Sequence, residues 1–102
     1  MRRVMVTYRV KPDLVEENET LIRAVYEELR ASDPDPPIRY STRRLEDGVT
    51  FVHLHEGETG DETLQQLPAF KLFQAEIRER CDQPPKVSAA ELIGSFPEGE
   101  AG

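Results

Sequence analysis

The chain has a single cysteine, Cys81, and no tryptophan. One thiol excludes an intrachain disulfide and any paired-thiolate zinc or redox motif. No stretch approaches the roughly 20 consecutive apolar residues that a membrane-spanning helix needs. Met1-Arg2-Arg3 leads into a strand-like run rather than a secretory apolar region, so an unprocessed cytoplasmic protein is expected. Basic residues are also scarce: 13 against 20 acidic ones leave a formal charge of −7. A surface of that sign repels phosphate backbones and anionic lipid, so neither nucleic acid nor a membrane is expected as a partner. Neither a phosphate-cradling glycine loop nor a Gly-x-Ser-x-Gly elbow occurs.

With 102 residues, 37% hydrophobic and 32% charged, the chain suits one domain with one modest core, for which dimerisation adds burial. That domain is expected over 1–96, with 97–102 as a flexible acidic tail. Val4, Val6, Tyr8 and Val10 alternate with Met5, Thr7 and Arg9, which predicts a first strand ending at Pro12. Asp13 and Glu16 suit a capping box. Leu14, Asn18, Leu21, Ile22, Val25 and Leu29 then form the stripe of a helix running to about Ser32, followed by a stiff loop through Pro34, Pro36 and Pro37.

Ile38–Leu45 and Val49–Glu56 predict a hairpin, with Asp47-Gly48 as a two-residue turn. That turn sets Arg44 opposite Phe51, Thr42 opposite His53 and Tyr40 opposite His55, all on one face. Ser41, Arg43, Val52 and Leu54 take the other. After an acidic loop at 57–61 and a short turn at Thr63–Leu67, Phe70, Phe73, Ile77 and Cys81 predict one continuous helix closed by Pro84-Pro85. Val87–Phe96 then predicts the last strand. The order βαββαβ is that of a ferredoxin-like α+β domain, a four-stranded antiparallel sheet with two helices on one face. The uncovered face calls for a partner, and a homodimer through it is expected, with Tyr40 and Phe51 placed there.

Four segments carry a resemblance over most of the chain: Val10-Lys11-Pro12, Phe51-Val52-His53-Leu54-His55-Glu56, Phe70-Lys71-Leu72-Phe73-Gln74-Ala75 and Pro84-Pro85-Lys86-Val87. In them the chain resembles the antibiotic-biosynthesis-monooxygenase-like family of dimeric α+β barrels. The resemblance implies two sheets face to face, a pocket on the open face, and oxidation of phenolic or quinol-like substrates without metal or flavin. It also marks departures. The family's enzymes commonly use a Trp, a His early in the second helix and an Asn near the first strand; here there is no Trp, Ala69 stands near the expected His, and the only Asn is Asn18.

His53 and His55, two apart on a strand, point to the same side with bases roughly 7 Å apart. With no third His the ligand set for a metal is incomplete, and none is expected. As candidate bases they share their face with Tyr40, Thr42, Arg44 and Phe51, while strand one adds Thr7 and Arg9. This mixture suits an aromatic or carboxylated small molecule, with Arg44 holding an anion and a histidine taking a proton. The alternative is a non-enzymatic dimerisation or regulatory module whose polar side chains pair across an interface. A cavity of roughly 300 Å³ or more distinguishes ligand binding from a solid interior. His53 and His55 are expected on the open face, away from the helices, because unpaired imidazoles beneath Phe70 and Phe73 would carry a burial cost.

Overall fold

β1 (Arg2–Val10) turns its even-numbered side chains to one side, where Tyr8 and Val10 are almost completely buried. Structure is described, in a computed structural model, for residues 2–32, 38–57 and 62–97; the loop expected at 33–37, residues 58–61 of the loop expected at 57–61 and residues 98–102 of the expected tail lie outside these. Pro12 cannot extend the ladder, and Pro12–Leu14 forms a 3-10 turn instead. Asp13 lies inside that turn and caps nothing, so the expected capping box is replaced by proline at the first turn position. α1 (Val15–Ser32) follows and buries Asn18, Ile22, Val25 and Leu29, the expected stripe.

β2 (Ile38–Arg44) and β3 (Thr50–Gly57) pair in the expected register, Tyr40 with His55, Thr42 with His53 and Arg44 with Phe51. The turn itself differs. Leu45 N–H donates to Thr50 O and Gly48 N–H to Leu45 O, while the Asp47 carboxylate accepts from the N–H groups of Val49 and Thr50. Only Gly48 in the turn has positive φ, 79°. The connection is thus a four-residue loop, Glu46 to Val49, braced by Asp47. Register survives because two- and four-residue loops leave the strands in the same pairing frame.

Pro68 opens α2 (Pro68–Gln74) at its first position, and the Glu28 carboxylate of α1 accepts the Ala69 N–H there at 3.0 Å. The expected continuous helix then breaks. Ala75 is extended and Glu76 is left-handed, φ 65°, before the short α3 (Ile77–Arg80). Cys81 is not on a helix stripe but starts β4 (Cys81–Ala89), and the strand expected at Val87–Phe96 is displaced toward the N-terminus. Pro84-Pro85, expected to stop structure, lies inside this strand. The sheet order β2-β3-β1-β4 makes β4 an edge, where one flank has no partner and proline is tolerated. Register shifts against β1 around Arg9 absorb the irregularity.

The sheet is antiparallel throughout, with the helices on one side: a ferredoxin-like α+β fold. The side they cover is the reverse of the one expected. Val6 pairs with His53 and Tyr8 with Phe51, and all these side chains pack into the helix-covered core, where His53 is 4% exposed. Met5, Thr7, Arg9, Val52 and Leu54 occupy the uncovered face. Tyr8, Val10 and Phe51 bring too much apolar surface to leave in water, and the imidazole cost is offset by hydrogen bonds. Among the described residues, no helix is long and apolar enough to cross a membrane.

Candidate functional site

Between the helix-covered face of the sheet and α2 and α3 lies a cavity of about 620 Å³. β1 and β3 supply Val6, Tyr8, His53 and His55, β2 supplies Tyr40, and α2 closes it with Phe70 and Phe73. This is well above the scale that separates a ligand site from packing gaps. Arg2 and Arg78 also line it, and no aspartate or glutamate does among the described residues.

His53 sits in the cavity floor between aromatic rings, 5.3 Å from the Tyr8 centroid and 5.4 Å from that of Phe73. Its Nε2 lies 2.7 Å from Tyr8 Oη, and its Nδ1 lies 2.8 Å from Tyr40 Oη and 2.9 Å from Thr42 Oγ1. Thr42 Oγ1 in turn meets Tyr26 Oη at 2.9 Å. Burial pushes the His53 pKa down to about 4, so the ring is neutral near pH 7. Burial likewise raises the hydroxyls of Tyr8 and Tyr40 above the ordinary phenol range. This floor is an array of neutral hydroxyls ordered around a neutral imidazole.

His55, half-buried, is two residues along the same strand face, with its ring edge-on to Tyr40. Of the residues expected at the site, His53, His55 and Tyr40 line the cavity and Thr42 stands behind them as a hydrogen-bond partner. Phe51 stacks against Tyr8, centroids 5.6 Å apart, and belongs to the core. Arg44 is not an anion holder in the cavity, because it pairs with Glu19 of α1 outside it. Thr7 and Arg9 lie on the opposite face, where Arg9 pairs with Asp82 at 2.7 Å. No cluster of three or more His, Cys, Asp or Glu side chains suited to a metal occurs among the described residues.

Sequence reasoning missed Tyr8, Asn18 and Arg80. Asn18, fully buried, donates from Nδ2 to Tyr8 Oη at 3.0 Å and accepts from Arg80 Nε at 3.1 Å. A signal for Asn18 was present, since an amide inside an apolar helix stripe must find a buried partner. Arg80, beside a core cysteine near a chain reversal, carried none.

No family model matches the chain, and no curated protein matches it. Solved structures do. A protein of the antibiotic biosynthesis monooxygenase type from Nitrosomonas europaea superposes with a TM-score of 0.74 at 16% identity, over 92% of this chain and 100% of that one. One from Caulobacter crescentus gives 0.68 at 18% identity, over 91% and 90%. A mutant of SnoaB, a cofactor-independent oxygenase from Streptomyces nogalater, gives 0.67 at 13% identity, over 95% and 97%. The chain therefore has the fold of the antibiotic biosynthesis monooxygenase structures.

Proposed function

We propose that the cavity binds an aromatic, quinol-like small molecule and that the protein oxidises it with dioxygen, without metal or flavin, as a monooxygenase. The observation that carries this reading is the cavity itself, about 620 Å³ with aromatic walls and a floor of buried hydroxyls around His53. The likeness in fold to a cofactor-independent oxygenase supports it. Arg2 and Arg78, with no acidic neighbour among the described residues of the lining, favour a ring bearing an anionic or ionisable group and take the role first expected of Arg44.

The chemistry divides between the two histidines. His53 has both ring nitrogens engaged by hydroxyls and a depressed pKa, so it orders the floor rather than taking protons. His55 is the base, withdrawing the proton of a ring hydroxyl so that the electron-rich anion reduces dioxygen. One oxygen atom enters the ring carbon para to that hydroxyl, where C–H becomes C=O as the hydroxyl oxygen becomes the second carbonyl of a quinone. The other oxygen leaves as water with the ring hydrogen and the hydroxyl hydrogen. No further reductant is needed.

Oxygen uptake across a panel of phenols and quinols tests this. A substrate should be consumed with one dioxygen per molecule oxygenated, and His55→Ala should lower kcat by about 100-fold or more with the fold intact. Absence of uptake with every compound, or full activity in His55→Ala, overturns the assignment.

A further inference from the structure

The hydrogen-bond chain in the cavity floor has its direction set at an end remote from the ligand space. Arg80 is 4% exposed, donates to Asn18 Oδ1 and to the Phe73 carbonyl at 2.6 Å, and lies 5.4 Å from the Phe73 ring centre. Among the described residues no carboxylate pairs with it. A cation is expensive to bury without a counter-charge, and a neutral side chain would fill the same space. What the guanidinium supplies there, and an amide or hydroxyl would not, is donors with no acceptor.

Each proton downstream follows from that. Facing a group that only donates, Asn18 must present Oδ1 to Arg80, which turns its Nδ2 toward Tyr8. Tyr8, having accepted there, directs its own hydrogen at its other partner, His53 Nε2. Nε2 is then an acceptor, and in the neutral ring the remaining hydrogen sits on Nδ1, aimed at Tyr40 and Thr42.

We propose that Arg80 is a positioning residue that holds His53, through Asn18 and Tyr8, as the Nδ1–H tautomer. For the site this means that the Tyr40 oxygen accepts from the ring and its own hydrogen is left for a cavity ligand, which favours a carbonyl or phenolate oxygen at that point. This last consequence rests on the ligand-binding reading above, whereas the tautomer is a property of the free protein.

Long-range 1H–15N correlation on histidine-labelled full-length protein reads the tautomer directly, and with two histidines in the chain a His55→Gln variant assigns His53. Between pH 6 and 8 the spectrum should show hydrogen on Nδ1 and a bare Nε2. Asn18→Asp nearly preserves shape but accepts from both neighbours, so Tyr8 turns its hydrogen to the carboxylate and His53 should switch to Nε2–H. Arg80→Met keeps the packing but removes the donors that fix the amide, and should leave His53 as a mixture of tautomers, whereas a packing role would leave the tautomer unmoved. A wild-type Nε2–H pattern, or an unchanged tautomer in a folded Asn18→Asp protein, overturns the proposal. The wild-type spectrum decides even if the variant fails to fold. Absence of turnover would defeat the monooxygenase reading and leave this spectrum as it is, so the two fail separately.

Discussion

His53 is neutral in the fold and its neutrality ties stability to pH. The unfolded imidazole takes a proton below about pH 6.5, the folded one only below about 4. Between these values the unfolded state holds more protons, so stability is full above pH 6.5 and is lost as pH falls through this window. From pH 8 to pH 5 the loss should be about 2 kcal/mol, measured by urea unfolding, and the difference between wild type and a His53→Gln variant isolates it from other groups. Equal pH slopes in the two proteins would show that His53 titrates normally. Tyr8→Phe removes the hydroxyl between Asn18 and His53, leaving two buried polar groups short of a partner; it should cost about 1–3 kcal/mol, with the His53 ring signals moving. At this scale the sequence was half legible. Strand period places Tyr40, Thr42, His53 and His55 together, and they are together. Period alone cannot say which side of the sheet they take, and the rule that imidazoles avoid cores failed because Tyr8, Tyr40 and Thr42 satisfy the ring.

Between α2 and α3 the chain reverses at Glu76, a side-chain-bearing residue held at φ 65°. The left-handed region costs such a residue roughly 1–2 kcal/mol, and glycine escapes most of this while losing more entropy on folding. Glu76→Gly should therefore raise stability by about 0.5–1 kcal/mol, seen as a melting temperature higher by a few degrees. Glu76→Val should lower it, and a drop for glycine would mean that the kink is not strained. This reversal was invisible in the sequence because Phe70, Phe73, Ile77 and Cys81 keep a helical spacing across it. The spacing is real for α2 and coincidental for Cys81, which reaches the core from β4. Pro84-Pro85 misled in the same place: proline forbids a central strand, whereas β4 is at an edge. The β2–β3 hairpin was legible in register despite the wrong turn, because loop parity, not turn type, decides which residues face each other.

The whole molecule leaves one face of its sheet uncovered, and the side chains there are graded. Central strands β1 and β3 carry Met5, Thr7, Val52 and Leu54, while the charged Arg39, Arg43 and Lys86 belong to the edge strands β2 and β4. Two central arginines are already paired, Arg3 with Glu56 at 3.5 Å and Arg9 with Asp82, so covering them does not strand a lone charge. An apolar middle with a charged rim is the anatomy of a protein interface. Beyond β4, Ile93 and Phe96 are 89% and 96% exposed, a second apolar surface on the same chain in need of cover. A second copy, docked sheet to sheet as the element order first suggested, is the proposed cover for the sheet face, and it would leave the cavity, on the far side of the sheet, intact in each protomer. Light scattering at micromolar concentration should give twice the 11.6 kDa of one chain. Leu54→Arg puts an unpaired charge in the middle of the proposed contact and should yield a species of single-chain mass that keeps its near-ultraviolet signal from the buried Tyr8 and the half-buried Tyr40. A wild-type protein of single-chain mass at every concentration tested would refute the sheet-to-sheet dimer. An Leu54→Arg protein that stays dimeric would move the interface to the segment bearing Ile93 and Phe96.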